Sequence, residues 1–391
     1  MHIERLYAEH FRNLQPCADQ PETLALEWSP HRHFNLIAGD NGQGKTNVLE
    51  ALCVAATLRS FRTTRLQDCL AFGHKDLTLG LRIVRHGQRE DLGLRLENAK
   101  KKLMLDGKAT PAMTQYLGRL VVVLFAPGDL QLPHAEPLER RRWLDRLVFN
   151  HDPAHLGDLR RYEKALLSRN LLLRQARTAP LDPDWLTAYD EVLAQVGMKI
   201  TQRRQQILQR YVPVLQEAFA RIAAPGLTAD CQLLQRQPLE NEQAMRDALT
   251  QHRARDLARA HTTVGPHRDD VELKIGGRLA ALHASQGQCR ALVLAMKVAE
   301  MQSLEADFGE APVLLMDDIS SELDAHRNRA LMAFLDDLGG QVFLTTTDAA
   351  HIQVAAPRQV WAMAAGILTA DAKYERNSPA AAAESGESGE A

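Results

Sequence analysis

The residues with the clearest chemistry form the run Gly39-Asp40-Asn41-Gly42-Gln43-Gly44-Lys45-Thr46, which fits the phosphate-loop spacing G-x-x-x-x-G-K-[ST]. Its glycines open backbone angles closed to other residues, so successive N–H groups can turn inward on phosphate oxygens. Lys45 would reach the β/γ-phosphates of a nucleotide, and the Thr46 hydroxyl would ligate Mg²⁺. Average composition yields this pattern in about one chain of this length in a hundred. Far downstream, the apolar run Val313 to Met316 ends in Asp317-Asp318, followed by Ser321-Glu322-Leu323-Asp324. A carboxylate at the C-terminal edge of a strand can hold the water shell of the same Mg²⁺, and the next acid is placed to position or activate water. An acidic pair also ends many strands and opens turns. The phosphate loop upstream decides for the metal. Between these words stands Ser285-Gln286-Gly287-Gln288, where a serine can cap a helix or an anion can meet free N–H groups.

Such groups need rigid elements behind them. Phe34 to Ala38 reads as a buried strand entering the loop, and Asn47 to Leu58 as a helix leaving it, with Val48, Leu52 and Ala55 on one face. The phosphates would then meet a helix N-terminus. Cys289 to Ser303 reads as a second helix, with Leu292, Ala295, Met296 and Ala299 on its buried side. Leu77 to Val84 and Asp91 to Glu97 alternate as strands do, Lys101 to Leu105 with the turn Asp106-Gly107 reads as a hairpin arm, and Trp361 to Leu368 as a last strand pair turning at Gly366. The middle of the chain is helical. Leu159, Tyr162, Leu166 and Leu173 recur at helical spacing, and Tyr189, Leu193, Val196, Ile200 and Ile207 recur close to a heptad. Two prolines, Pro180 and Pro183, break the run between them, so a helical hairpin is expected whose second arm starts at Asp182-Pro183-Asp184-Trp185. Pro213 is expected to kink or end that arm, and Pro225-Gly226 to turn the chain again. A compact helical subdomain satisfies the same pattern.

In the order of these words the chain resembles the ABC-type ATPase heads of the SMC/Rad50 class, and the RecF family within it. The resemblance rests on Phe11-Arg12-Asn13-Leu14, Ser60-Phe61-Arg62-Thr63, Leu124-Phe125-Ala126-Pro127-Gly128-Asp129-Leu130, Glu139-Arg140-Arg141-Arg142-Trp143-Leu144-Asp145 and Gly265-Pro266-His267-Arg268-Asp269-Asp270, with the three words above. It covers the chain from about residue 3 to about residue 370. It implies an α/β fold: an ABC-type P-loop NTPase head, a mixed sheet with helices, carrying an inserted α-helical lever. The head would take residues 1–130 and 259–372, the lever 131–258, and an acidic tail 373–391. ATP and Mg²⁺ are the implied cofactors. Arg12 and Asn13 would join residues Gly39 to Thr46 on the nucleotide, Thr46 and Asp317 would hold the metal, and Lys45 and Asp318 would be catalytic. Ser285, Gly287 and Gln288 would act in trans on the nucleotide of a second copy, with Asp324 in the loop of the dimer contact.

The same resemblance implies a role in DNA replication and in recombinational repair under the SOS response to DNA damage. An ATP-dependent homodimer would clamp gapped DNA at single-strand/double-strand junctions and help load the recombinase with RecO and RecR. It would be a weak, DNA-dependent ATPase whose slow hydrolysis releases it. Two departures from the wider ABC pattern agree with slow hydrolysis: Asp318 stands where a glutamate is usual, and Thr347 where a switch histidine is usual. A transporter-energising ATPase would carry that histidine and lack a basic hairpin. A chromosome-organising SMC protein would need far longer coiled-coil arms than residues 150–215 allow, and a nuclease of the overcoming-lysogenisation type would need a further acidic metal domain.

Composition fits an ordinary globular protein, with 25% charged and 45% apolar residues in 391. Net charge is −2, so bulk charge does not advertise nucleic acid; distribution says more. From Glu139 to Arg177 there are ten Lys/Arg against five acids, and Lys199, Arg203, Arg204 and Arg210 follow. Such an excess can track a phosphate backbone, or simply solvate helix faces. The five cysteines (Cys17, Cys53, Cys69, Cys231, Cys289) form no C-x-x-C pair, so reduced core thiols are expected. No signal-like or membrane-length apolar run occurs, and a cytoplasmic protein is expected. The Ala/Glu-rich tail from about Lys373 cannot bury a core and is expected to be disordered.

Overall fold

The computed structural model describes residues 1–16, 25–110, 112–178, 180, 182–223, 225–318, 325–349, 352, 354–355 and 357–371. Cys17, Asp324 and the tail lie outside the described residues. The chain divides into two compact units, Met1–Leu130 with Glu300–Ala391, and Gln131–Ala299.

Alternating and all-apolar strand patterns separate the two sheets of the first unit. The antiparallel sheet contains β1 (His2–Glu9), β2 (Ala25–Trp28), β4 (Asp76–Arg85), β5 (Gln88–Glu97), β6 (Lys100–Leu105) and β7 (Lys108–Thr110), ordered β2-β1-β4-β5-β6-β7. In β4, Leu77, Leu79, Leu81 and Ile83 are buried while their neighbours face outward, as a one-sided sheet requires. The second sheet contains β3 (Phe34–Ala38), β8 (Val122–Phe125), β12 (Val313–Asp317), β13 (Val342–Thr346), β14 (Arg358–Ala364) and β15 (Ile367–Ala370), ordered β15-β14-β3-β13-β12-β8. Its strands are parallel apart from the β14/β15 pair. Strands β3, β8, β12 and β13 are buried along almost their whole length, as strands covered on both faces are. Helix α1 (Lys45–Thr57) touches strands of both sheets, and Val48, Leu49, Ala51, Leu52, Val54 and Ala55 are fully buried. The short α2 (Met113–Tyr116) and α10 (Ala325–Asp337) complete this unit.

The second unit contains α3 (Pro137–His151), α4 (Ala154–Gln175), α5 (Pro183–Ile222), α6 (Glu242–Gln251), α7 (Arg253–Arg259), α8 (Ala280–His283) and the start of α9 (Gln286–Phe308). A small sheet, β9 (Ala229–Leu234), β10 (Asp270–Ile275) and β11 (Arg278–Leu279), lies in the order β11-β10-β9. Helices α4 and α5 are antiparallel: Arg169 pairs with Asp190 at one level and Arg203 with Asp158 further along. Tyr162, Ala165, Leu193, Ala194, Val196 and Ile200 form their seam, closed by Met245 and Leu249 of α6. Asp182 caps α5 by accepting the Asp184 N–H at 3.0 Å, with Pro183 in the first turn.

Two sequence expectations shift. At Pro213, where a kink or an end is expected, helix α5 does not end but runs on to Ile222. Pro213 and Gln209, whose carbonyl loses its partner, are both exposed, so water can serve the freed group. The helical unit also continues past residue 258 to Ala299, because β9 and β10 are hydrogen-bonded along their length and bind residues 270–275 to it.

Candidate nucleotide site

Strand β3 delivers Gly39 at its C-terminal end, and α1 starts six residues later at Lys45. Gly39 (φ 157°) and Gly44 (φ 114°) hold backbone angles that disfavour a side chain. Space forbids one as well: a Cβ on Gly39 would strike the Met363 carbonyl, and one on Gly44 would meet Asn13 Oδ1 at 2.7 Å. Lys45 is buried at the loop mouth, where Nζ donates to the carbonyls of Gly39 (2.7 Å) and Asp40 (2.9 Å). Asp40, Asn41 and Gly42 are exposed. The β14/β15 turn clamps the loop from one side: Gly366 N donates to Gln43 O at 2.9 Å and Ala365 N to Gln43 Oε1 at 2.7 Å.

The neighbouring strands bring the acids to this mouth. Asp317, at the end of β12, accepts the Thr46 hydroxyl on Oδ1 at 2.8 Å and the Thr345 hydroxyl of β13 on the same atom at 2.9 Å. Asp318 follows with a left-handed φ of 48°, and its N–H donates to Thr345 Oγ1 at 3.0 Å. Thr347 lies exposed just past the end of β13. A hydroxyl and a carboxylate at the same mouth form an all-oxygen donor pair, the kind Mg²⁺ takes together with phosphate oxygens and water. Among the described residues no group of three His, Cys, Asp or Glu could hold a metal ion.

Behind the loop lies an ion-pair hub that sequence reasoning missed. Glu50 of α1 is fully buried and receives Arg12 Nε (2.9 Å), Arg12 Nη2 (2.8 Å), Ser60 Oγ (2.5 Å) and Arg62 Nη1 (3.3 Å). Burial pushes its carboxyl up, but Arg12, Ser60 and Arg62 outweigh this and hold it below the ordinary glutamate range. The Arg12 guanidinium is therefore engaged by Glu50 and the Asp68 carbonyl, while Asn13 reaches the loop, donating to Gln43 O at 3.3 Å and accepting from Asn47 Nδ2 at 2.6 Å. A lone acid inside the apolar stretch Val48 to Ala56 was the available signal.

Ser285, Gly287 and Gln288 lie in the second unit, at the start of α9. They form a reciprocal cap: Gln288 N donates to Ser285 Oγ at 3.2 Å, and Ser285 N donates to Gln288 Oε1 at 2.8 Å. Ser285 and Gln286 are nonetheless exposed, so the helix start is open to a partner. Below it, Cys289, Leu292, Ala295, Met296 and Ala299 are buried as the helical spacing predicts. The four described cysteines are buried and form no disulfide among the described residues.

A phosphate loop between β3 and α1, with an acid at the end of a neighbouring parallel strand and an antiparallel sheet beside it, defines a P-loop ATPase head of the ABC type. The RecF/RecN/SMC N terminal domain family matches residues 2–367. Curated relatives named DNA replication and repair protein RecF include one from Myxococcus xanthus, 40% identical over 368 residues (91% of this chain, 93% of the relative), and one from Geobacter sp. strain M21, 36% identical over 363 residues (90% and 95%). A solved structure of a recombination mediator protein RecF with ATPrS superposes with a TM-score of 0.85 at 27% identity, covering 95% of this chain and 98% of that one. An Smc head bound to the C-winged helix domain of ScpA shares the fold at a TM-score of 0.57 and 15% identity. The chain belongs to the RecF family, within the wider RecF/RecN/SMC group.

Proposed function

We propose that this protein is an ATP-dependent dimerising clamp that binds gapped DNA at single-strand/double-strand junctions and serves DNA replication and recombinational repair in the cytoplasm. The observation that carries the reading is the 2.8 Å bond between Thr46 and Asp317, which joins the phosphate loop to a strand edge in the arrangement a metal–nucleotide site needs. The relatives are DNA replication and repair proteins, and similar structures contain ATP or its analogue, which supports nucleotide and pathway alike. Residues Gly39 to Thr46 hold the phosphates, and Lys45 balances their charge. Arg12 acts through Asn13, which it presents to the loop. Thr46 and Asp317 hold Mg²⁺, which neutralises phosphate charge when bound.

The exposed N-terminus of α9, with Ser285, Gly287 and Gln288, meets the nucleotide of a second copy, with Asp324 at the same contact. Residues 1–130 and 300–372 work as the head, and residues 131–258, with the stretch to Ala299 that packs in the same compact unit, as its lever. Asp318 accepts the proton of the attacking water. Its shorter reach than a glutamate, and Thr347 in place of a histidine, keep hydrolysis slow. DNA stimulates this weak ATPase, and hydrolysis opens the clamp. RecO and RecR are the partners in recombinase loading.

The test is a gel shift of gapped duplex with and without ATP·Mg²⁺, with ungapped duplex as control. ATP-dependent retention of the gapped DNA is expected. Equal shifts with and without nucleotide on both DNAs would reject the clamp.

A further inference from the structure

One end of the helical unit gathers residues that stand far apart in sequence. The end of α4 supplies Arg174 and, just beyond it, Arg177; the start of α5 supplies Trp185; α7 supplies Arg255 and Arg259. The elements that carry them are joined by the contacts of three arginines. Arg177 Nη2 donates to the Ala258 carbonyl of α7 at 3.2 Å. Arg253 Nη2 donates to Thr187 Oγ1 of α5 and to Asp190 Oδ2, each at 2.8 Å. Beneath them the buried Arg169 of α4 joins Asp190 of α5 and Asp256 of α7, each at 2.7 Å. Helix α7 is thereby tied to the tip of the α4/α5 hairpin, and its i, i+4 pair Arg255/Arg259 faces solvent beside that tip.

Trp185 is the unusual member. Of the chain's four tryptophans, Trp28 and Trp143 are each 3% exposed, whereas Trp185 is 59% exposed in the first turn of a capped helix. No stacking partner or hydrogen bond holds its indole among the described residues. At the same end of the unit, Arg174, Arg255 and Arg259 are exposed and have no carboxylate partner among the described residues, and Arg177 meets only a carbonyl. Two acids stand close by in sequence: Asp182 caps α5 by accepting the Asp184 N–H, and the carboxylate of Asp184, next to Trp185, is exposed. A solvent-facing aromatic ring at the same end of the unit as exposed guanidinium groups offers a face for a free base and charge for a phosphate backbone. Duplex DNA offers the phosphates but not the free faces.

We infer that the hairpin tip formed by Arg174, Arg177, Trp185, Arg255 and Arg259 is a binding site for single-stranded DNA, with Trp185 stacking on an unpaired base. The inference rests on the gapped-DNA reading above and gives it a surface: the tip engages the unpaired strand of the junction. It also explains why the basic excess counted from Glu139 to Arg177 was ambiguous. Arg140, Arg169 and Arg203 in and beside that region are committed to carboxylates, and α7 supplies two of the cations that are not.

Oligothymidylate and gapped duplex are the probes, read by fluorescence anisotropy across a salt series and by tryptophan emission. Wild-type emission should be quenched on binding, and Trp185→Phe should lose most of that quench. Trp185→Ala should weaken oligothymidylate binding roughly tenfold. Arg255→Ala and Arg259→Ala should each lower the slope of log Kd against log salt by about 0.7. These side chains are exposed, so unfolding midpoints and ATP affinity should match wild type in every variant. If wild type binds neither probe, the clamp reading itself fails. If wild type binds while the variants retain its affinity, salt slope and quench, the tip assignment is overturned and the clamp reading stands.

Discussion

Replacing Glu50 by glutamine keeps its size and removes its charge, and the structure says what that costs. The carboxylate is fully buried, with Oε1 accepting from Arg12, Ser60 and the Cys69 thiol and Oε2 from Arg12 and Arg62. The amide leaves one acceptor and turns an NH₂ toward a guanidinium. Removing one partner of a buried ion pair typically costs about 3–5 kcal/mol. Arg12 and Arg62 are 22% and 45% exposed and regain some water, which places the expected loss near the low end, about 3 kcal/mol. Urea unfolding of Glu50→Gln reads that loss directly. The functional echo should be a weaker nucleotide site, because Arg12 sits at a left-handed φ of 52° and presents Asn13 to the loop. A double-mutant cycle of Glu50→Leu with Arg12→Met isolates the pair, with an expected coupling of about 1.5 kcal/mol or more. Additive single losses, or unchanged ATP affinity in Glu50→Gln at a matched folded fraction, would refute the hub's role.

Lys45→Ala or Thr46→Ala should abolish ATP-dependent dimerisation, and light scattering that shows a normal dimer would speak against the loop assignment. Ser285→Arg should leave ATP binding nearly intact while blocking dimerisation; joint loss of both would make Ser285 a structural cap only, a role its bond to the Gln288 N–H already gives it. His267 accepts from Tyr162 (2.7 Å) and donates to Thr262 O (3.1 Å), and burial lowers its pKa from 6.5 to about 4. The folded state thus binds fewer protons than the unfolded one between those values, so stability is full above pH 6.5 and falls by up to about 3 kcal/mol toward pH 4. Asp269, pushed up to about 6 by burial, titrates in the opposing sense, so the pH series belongs in an Asp269→Asn background, where adding His267→Gln should flatten the curve. A pH dependence unaltered by His267→Gln would rule out that assignment.

Local words in the sequence located the site well. Phe34 to Ala38, the loop and Val313 to Asp317 encode strand, turn and acid within short windows, and the structure places them at one mouth. Periodicity likewise marked the buried faces of α1, α4, α5 and α9. What stayed hidden were partners chosen across long separations. Apolar spacing shows which face is buried, but nothing local says that Glu50 meets Arg12 and Arg62, that Thr345 shares Asp317 with Thr46, or that the Ala365-Gly366 turn closes on Gln43. The continuation of α5 through Pro213 depended on an exposed carbonyl, a property of the packed helix rather than of the dipeptide. The tip escaped for the same reason. The buried Arg169 network brings α4, α5 and α7 to one end of the unit, and composition counts every arginine alike, paired or not.

The most direct test is sedimentation of the full chain with Mg²⁺, with and without ATP, for wild type and Asp318→Asn side by side. Asparagine keeps the size of Asp318 and cannot take a proton from water, while Asp317 still holds the metal. Both proteins should be monomers without nucleotide and double in mass with ATP. Wild type should return to monomer as ATP is consumed, and Asp318→Asn should remain a dimer. Monomers throughout, or dimers indifferent to ATP, would contradict a clamp closed by the nucleotide.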